Sequence, residues 1–365
     1  MKKCLIFLTL AGICSGTFGQ RKYANSSVLS TGDWIKISVE SAGVYKLTAN
    51  DLKLAGISGN ISSSQIRLFG NGGNVLPESN AAAITDDLQE NAIEMNDGGD
   101  GIFDGSDYFL FYAPGPHQWI RDSTEIGFHF LKNPYSNLSY YFLQWGGGTG
   151  KRVAQKALSS ASGKQVDMFD DYVHYELDSI NFLKSGKEWY GEMFSNQSGY
   201  IASREFNLNI STAVVGESYF LRSSMIGSSA DKANNIAVSF NGKKLFDHVT
   251  APIPGSLISP VASEQLMSAK DIFSGSTMIV GYQHTGGSVN ARSWLNWFEV
   301  FYKRKLDMLG QSQLSFRLKK MDVKTPINFS ISNALSNSVA WDVSDAKNPQ
   351  KIKMAQTTVG ISFTD

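Results

Sequence analysis

Residues 96–112, NDGGDGIFDGSDYFLFY, carry oxygen-bearing side chains at a spacing close to that of a repeat-type calcium loop, D-x-[DN]-x-D-G-x-x-D-x-x-D. Positions 5, 6, 9 and 12 of that pattern fit, while position 1 is Asn and position 3 is Gly. The EF-hand pattern fails, because it needs an oxygen ligand at position 3 and Glu at position 12. An oxygen-only donor set suits Ca²⁺ rather than zinc or copper. The predicted metal ligands, for a calcium ion as the only cofactor considered, are Asn96, Asp100, Asp104 and Asp107.

Two other interpretations of this stretch remain open. Asp-Gly pairs are typical of turns in which the carboxylate accepts hydrogen bonds from nearby backbone N–H groups. A catalytic carboxylate pair is the third interpretation, but the sequence indicates no general acid to partner it. The sequence therefore leaves a calcium loop and a pair of turns as the two main alternatives.

Residues for nucleophilic catalysis are scarce. Cys4 and Cys14 are the only cysteines, and both lie in the first twenty residues. No H-E-x-x-H, H-x-H or G-x-S-x-G pattern occurs. A Ser–His–Asp triad needs only to meet in space, so spacing does not exclude one. We predict no catalytic and no cofactor-binding residue, and we expect packing or surface roles for the five histidines, His117, His129, His174, His248 and His284.

Four aromatic residues could form a sugar-stacking platform on a β-sandwich. They are Trp189, Tyr190, Trp294 and Trp297. Aromatic residues at strand spacing are more often part of a core.

The N-terminus predicts export. Lys2 and Lys3 precede an apolar run over residues 5–13, and small residues before Gln20 favour cleavage there, which makes residues 1–19 a signal peptide. Lipidation at Cys14 fits less well, because the residues before it depart from a lipoprotein signal. No later stretch reaches the apolar length of a membrane span. The 33 basic and 33 acidic residues balance, so charge gives no sign of a nucleic-acid partner.

Short alternating runs bounded by Gly, Asn and Ser predict a mainly β protein. We expect an N-terminal β-rich (α+β) module over 20–150, a linker over 151–166, a β-sandwich or jelly roll over 167–308, and a truncated β segment over 309–365. Locally, Thr48 and Asp51 predict a capped short helix, and Asn241-Gly242 predicts a hairpin. QLSFRLKK, residues 313–320, is expected to form a strand.

Several blocks of the sequence resemble a known family, the gingipain-like, C25 peptidase-related sortases of the type IX secretion system. The blocks include WIKISVESAGVYKLTANDL, IRLFGNGGNVLPE, DDLQENAIEMNDGGDGIFDGSDYFLFYAPGPHQW and VAWDVSDAKNPQKI. The similarity is to the N-terminal region of the family. It implies that the peptidase domain, with its Cys–His dyad, follows the segment matching WDVSDAKNP, so no catalytic residue transfers to this chain.

The resemblance implies a role at the cell surface or outer membrane. The family removes C-terminal signal domains from secreted cargo and attaches the cargo to lipopolysaccharide. This chain would be a non-catalytic part that docks to other secretion components or to cargo, inactive alone. The alternative is a secreted carbohydrate-binding or adhesin-like sandwich. Oligomeric state and the docking partner are not predicted.

Overall fold

A computed structural model describes residues 23–57, 59–157, 163–182, 184, 188–253, 255, 261–319 and 326–365. The predicted signal peptide and both cysteines lie outside the described residues. Within the described ranges, no helix has the length and apolar character that crossing a membrane requires.

The first part of the chain, here the N-terminal module, packs two antiparallel sheets around one core. Its elements are β1 (Trp34–Val39), β2 (Gly43–Thr48), α1 (Ala49–Leu54), β3 (Arg67–Phe69), β4 (Glu90–Asn91), β5 (Glu94–Asn96), β6 (Tyr108–Ala113), β7 (Gln118–Arg121), β8 (Phe128–Leu131) and β9 (Ser139–Gln144). One sheet has the order β1-β9-β3-β4, the other β2-β6-β5, and β7 and β8 form a separate hairpin. The buried core residues include Ile66, Leu68, Phe109, Phe111, Tyr141 and Leu143.

Helix α1 begins as the sequence predicts. The backbone N–H of Asp51 donates to the Thr48 hydroxyl, and the Asp51 carboxylate accepts from the Thr48 backbone N–H at 2.8 Å. This reciprocal capping box satisfies donors that the first turn of a helix leaves free.

The middle of the chain is a two-sheet β-sandwich. Its strands are β12 (Met168–Glu176), β13 (Met193–Phe194), β14 (Ser203–Asn207), β15 (Ser218–Ser228), β16 (Asn234–Phe240), β17 (Lys243–Thr250), β18 (Ser263–Ile272), β19 (Ile279–Gly286) and β20 (Arg292–Lys305). The first sheet has the order β12-β20-β15-β18, with β13 also on β20, and the second has the order β14-β19-β16-β17. Between the sheets lie Leu221, Val238, Val280, Phe298 and Val300.

The predicted hairpin and central strand of the sandwich are both confirmed. Asn241 and Gly242 join β16 to β17 with φ angles of +48° and +77°, the left-handed conformation that a tight hairpin requires. Strand β20 is largely buried on both faces, because the sandwich core covers its inner face and aromatic rings cover its outer face, while β12 and β15 pair with its two edges. The fold is therefore mainly β.

A small C-terminal module is built from strands that precede the sandwich in the sequence and strands that follow it. Its strands are β10 (Ala154–Gln155), β11 (Lys164–Val166), β21 (Ile327–Ser332), β22 (Ala340–Asp342), β23 (Gln350–Ile352), β24 (Ala355–Gln356) and β25 (Gly360–Thr364). β10 pairs in parallel with β23, and β11 pairs in parallel with β21. The segment predicted as a linker thus contributes two strands, while the boundaries of the domains stay predictions.

The strand predicted over 313–320 does not form in its described residues, 313–319. This segment runs as irregular chain along the N-terminal module. The Gln313 side chain donates to the Val44 carbonyl and accepts from the Val44 N–H, both at 2.8 Å, and Arg121 donates to the Leu318 carbonyl at 2.8 Å. Hydrogen bonds between side chains and backbone hold this segment in place instead of the backbone hydrogen bonds of a sheet.

Candidate functional site

The predicted calcium loop connects β5 to β6 and consists of tight turns. Asn96, at the end of β5, donates from Nδ2 to the Tyr108 hydroxyl at 3.1 Å. One oxygen of Asp100 accepts from the Ile102 N–H at 2.9 Å. One oxygen of Asp107 accepts from the Asp104 N–H at 3.0 Å, and Asp104 itself is exposed. The turn interpretation therefore describes the local hydrogen bonds.

Asp97, which the spacing argument passed over, ties this loop to the rest of the module. Its carboxylate accepts from the Ser63 hydroxyl and, at 3.1 Å, from the Gly99 N–H. These hydrogen bonds, first from Ser63 and then from Gly99, lower the pKa of Asp97. Ser63 is the middle residue of the run Ser62–Ser64, and nothing in the local sequence signals the contact.

Metal binding by the loop stays a prediction. In the part of the chain that the structure describes, no three His, Cys, Asp or Glu side chains converge as metal ligands would. Asp100 and Asp107 each use one oxygen for a backbone N–H, which leaves the second oxygen of each carboxylate facing away from that bond. Together with the oxygen of Asn96 and the exposed Asp104, this oxygen-only set has the chemistry that Ca²⁺ prefers.

One histidine lies next to a serine inside the sandwich. The Tyr282 hydroxyl donates to Ser223 Oγ at 2.8 Å, and Ser223 Oγ lies 3.1 Å from His248 Nε2. All three side chains are buried, and His248 Nδ1 has no hydrogen-bond partner among the described residues. Burial lowers the pKa of His248 to about 4. The pair therefore lacks the carboxylate of a Ser–His–Asp triad and faces the core rather than a cleft.

Among the residues that the structure describes, the most extensive cluster of charged side chains lies where the β7–β8 hairpin covers the outer face of the first sandwich sheet. We call it the junction cluster. Its members are Lys132, His174, Glu176, Asp178, Arg222 and Glu299.

Hydrogen bonds connect the junction cluster from end to end. Glu299 accepts from Arg222 Nε and, at 3.1 Å, from His174 Nδ1. The other ring nitrogen of His174 lies 2.9 Å from a Glu176 oxygen. Lys132 Nζ lies 2.9 Å from the second Glu176 oxygen and also pairs with Asp178. The Glu299 side chain is only 3% exposed, so its charge is balanced inside the protein rather than by solvent.

Aromatic rings enclose this cluster. Phe130 of β8 stacks on the His174 ring with 4.0 Å between centroids. Trp119 of β7 lies against Tyr172 and packs edge-on to Phe301 at 5.6 Å. The Arg222 guanidinium lies over Trp297 at 5.5 Å. The rings lower the local dielectric constant and strengthen the ionic contacts.

The ionic partners shift the pKa values within the cluster. Burial alone lowers the pKa of His174, but the hydrogen bonds to Glu176 and Glu299 outweigh burial, and the net shift is upward. Burial raises the pKa of Glu176, but hydrogen bonds from His174 and Lys132 outweigh it, and the net shift is downward. Both shifts favour the charged forms.

The junction cluster is not predicted from the sequence. A signal existed: Glu299 interrupts the apolar run SWLNWFEVFY, and His174 and Glu176 share one face of β12. The four aromatic residues considered as a sugar platform differ in their environments. Trp294 is buried and packs against Phe182, which also contacts Tyr190, whereas Trp297 lies at the junction cluster and Trp189 is 39% exposed.

Comparison with known proteins gives a strong structural match. No protein-family model matches the chain, and no curated protein does. Among solved structures, dimeric latent PorU from Porphyromonas gingivalis aligns with a TM-score of 0.77 and 23% sequence identity, over 94% of this chain and 31% of that chain.

Other structural matches are distant. A carbohydrate-binding module, CBM36 in complex with calcium and xylotriose, aligns with a TM-score of 0.21 at 7% identity, over 36% of this chain and 98% of that chain. The delta-endotoxin Cry8Ea1 from Bacillus thuringiensis aligns with a TM-score of 0.23 at 12% identity, over 67% and 42% of the two chains. Scores this low support no argument about fold or function. The chain therefore has the fold of the part of PorU that it matches. At the level of the fold, this confirms the resemblance in sequence to the N-terminal region of a type IX secretion sortase.

Proposed function

We propose that this chain is the non-catalytic N-terminal part of a cell-surface sortase of the type IX secretion system. The observation that carries the proposal is the shared fold with PorU over 94% of the chain. The chain spans 31% of that protein, so cleavage of C-terminal signal domains and attachment of cargo to lipopolysaccharide belong to the whole sortase in this proposal.

The role proposed for the chain itself is to hold three β modules in place as a docking platform for cargo or for other secretion components. Side-chain contacts between the modules support this role. Trp341 Nε1 of the C-terminal module donates to Glu94 of the N-terminal module at 3.0 Å, and Lys351 pairs with the same carboxylate. The junction cluster joins the N-terminal module to the sandwich.

Binding and turnover measurements on the purified chain test this proposal. We expect saturable binding to a cargo C-terminal signal domain or to another secretion component, and no cleavage of the cargo. Cleavage would contradict the non-catalytic assignment. Absence of binding to every cargo and component would contradict the docking role.

We also propose that the chain is exported and that cleavage leaves Gln20 as its first residue. The support is the charge and apolar pattern of residues 1–19. Mass spectrometry of the cell-surface fraction should find a peptide that begins at Gln20. Retention of residues 1–19 on the surface protein would contradict this.

Calcium binding by Asn96, Asp100, Asp104 and Asp107 is proposed as a stabilising function of the β5–β6 loop. Ca²⁺ that binds only the folded chain should raise its melting temperature, and Asp104→Ala should remove that rise. Asp345→Ala is a matched control, because Asp345 lies in a similar turn and accepts from the Lys347 N–H. An unchanged melting temperature at millimolar Ca²⁺ would contradict calcium binding and would mean that the loop is only a pair of turns.

A further inference from the structure

The hydrogen bonds around His174 define its protonation state. Each ring nitrogen of His174 faces a carboxylate: Nδ1 faces Glu299 at 3.1 Å and Nε2 faces Glu176 at 2.9 Å. Ionised carboxylates only accept hydrogen bonds, and a neutral imidazole has a single N–H to donate. Both contacts are satisfied together only when His174 is the protonated imidazolium.

The charges of the junction cluster balance only in that state. Three cations then face three anions: Arg222, Lys132 and protonated His174 against Glu299, Glu176 and Asp178. Loss of the proton leaves one uncompensated negative charge among aromatic rings, and it turns a ring nitrogen lone pair toward a carboxylate. An unpaired charge in such surroundings is strongly unfavourable.

Two contacts connect this charge to the hairpin. The Phe130 ring of β8 stacks on the imidazole at 4.0 Å, and a cation over an aromatic face is attracted more strongly than a neutral ring. Lys132, one residue after β8, reaches Glu176 on the sandwich. The Phe130 contact therefore depends directly on the His174 proton, whereas the Lys132 contact depends on it through Glu176, whose other oxygen is held by His174 Nε2.

The charged and titratable groups facing His174 come from every element packed around it. Strand β12 supplies Glu176, β20 supplies Glu299, and β15 supplies Arg222. The N-terminal module supplies Lys132 and His117. The Asn133 N–H donates to His117 Nδ1 at 3.0 Å, and burial followed by the Lys132 charge lowers the pKa of His117, so this second imidazole stays neutral.

We propose that protonation of His174 controls how firmly the β7–β8 hairpin docks on the sandwich, and thereby how firmly the N-terminal module is held there. The proposal stands on the contacts of this chain and does not require the sortase role. The hairpin docks firmly while His174 is charged and loosens when His174 loses its proton.

The pH window follows from the two shifts in the cluster. The pKa of His174 is raised in the folded protein, so its contribution is complete below the ordinary histidine value of about 6.5 and is lost as pH rises through the raised value. The pKa of Glu176 is lowered, so its contribution is complete above its ordinary value and is lost as pH falls through the lowered value. Docking is therefore firmest in mildly acidic solution.

Hydrogen–deuterium exchange of residues 118–131, corrected for the intrinsic effect of pH, measures the docking in the whole chain. We expect protection to fall as pH rises above 6.5, by about tenfold for each unit by which the pKa is raised. His174→Gln should abolish this pH dependence. His129→Gln is the matched control: His129 lies on the same hairpin and pairs with Asp122 at 3.0 Å, but its side chain is 43% exposed, so we expect the wild-type response.

An NMR titration of the histidine ring nitrogens needs no variant. The His174 ring should carry protons on both nitrogens at pH 6.5 and titrate above the ordinary value. Titration of His174 at or below about 6.5, or an unchanged pH dependence of protection in His174→Gln, would overturn the proposal. Failure of the chain to bind cargo would contradict the docking role but not the proposal about His174, so the two proposals are tested separately.

Discussion

His174 is partly buried and His248 is fully buried in the sandwich, and their surroundings shift their pKa values in opposite directions. His174 lies on the outer face of β12 between two carboxylates, and its pKa is raised. His248 lies on the inner face of β17 with a serine hydroxyl as its hydrogen-bond partner, and its pKa is lowered to about 4.

The difference shows that partners, rather than burial, decide the charge of a buried histidine. Burial disfavours the imidazolium at both positions. Only at the junction cluster do hydrogen bonds to ionised carboxylates outweigh the cost of burying the charge. One sandwich thus has a neutral polar group in its core and an ionic contact on the face that meets another module.

The largest expected effect comes from removing the central carboxylate of the junction cluster. Glu299→Ala leaves the charges of Arg222 and His174 buried without their acceptor, and we expect a loss of about 3–5 kcal/mol in the free energy of unfolding. Chemical denaturation at pH 6.5 measures it. Glu205→Ala, on the exposed side of β14, should change the free energy by less than about 0.5 kcal/mol. Equal losses in the two variants would mean that the junction charges are not coupled.

Acid should act on His248 in the opposite sense to its effect on His174. Because the pKa of His248 is lowered from about 6.5 to about 4, its neutral form stabilises the fold fully above 6.5, and this contribution is lost as pH falls toward 4. We expect a loss of about 3 kcal/mol over that range, measured as the difference between wild type and His248→Leu. Parallel pH profiles for the two proteins would show that His248 is already charged, or already exposed, in the folded state.

Ser223→Ala should have a smaller effect. The substitution leaves the Tyr282 hydroxyl and His248 Nε2 buried without their shared partner, for an expected loss of about 1–3 kcal/mol. Thermal or chemical unfolding measures the loss, with Ser203→Ala on exposed β14 as the control. A neutral result would indicate that water replaces the hydroxyl, and that the core is less dry than at the other buried positions.

The smallest effect is expected at a third histidine, His129, which like His174 pairs with a carboxylate. Its contact with Asp122 is partly exposed, and ion pairs of this kind contribute between zero and about 1 kcal/mol. His129→Gln should therefore change the free energy of unfolding by less than about 0.5 kcal/mol at pH 6.5. A loss comparable to that of Glu299→Ala would remove the distinction between exposed and enclosed pairs.

Features set by neighbouring residues were predictable from the sequence. The capping box at Thr48, the hairpin at Asn241-Gly242 and the doubly buried β20 each depend on a few adjacent positions, and all three are confirmed. The strand predicted for QLSFRLKK is wrong over its described residues, 313–319, because its alternating apolar side chains, Leu314, Phe316 and Leu318, pack against the core of the C-terminal module rather than marking a strand of a sheet.

The junction cluster could not be assembled from the sequence. His174 and Glu299 are 125 positions apart, and the pairing of β12 with β20 brings them together. Lys132 comes from a different module altogether. Local patterns indicate which strands form, but the register between distant strands decides which charges meet. The same limit applies to the contact between Ser63 and Asp97 at the β5–β6 loop.

The parallel pairing of β11 with β21 has a consequence for how the chain is made. The first and last residues of the sandwich segment lie side by side, because the Leu306 N–H donates to the Asp167 carbonyl at 2.7 Å. β11 leaves the ribosome about 160 residues before its partner β21. The C-terminal module is therefore completed only after the sandwich has been synthesised, and until then the edge of β11 is open to wrong partners. Fast folding of the sandwich brings the two halves of that module together and shortens this exposure.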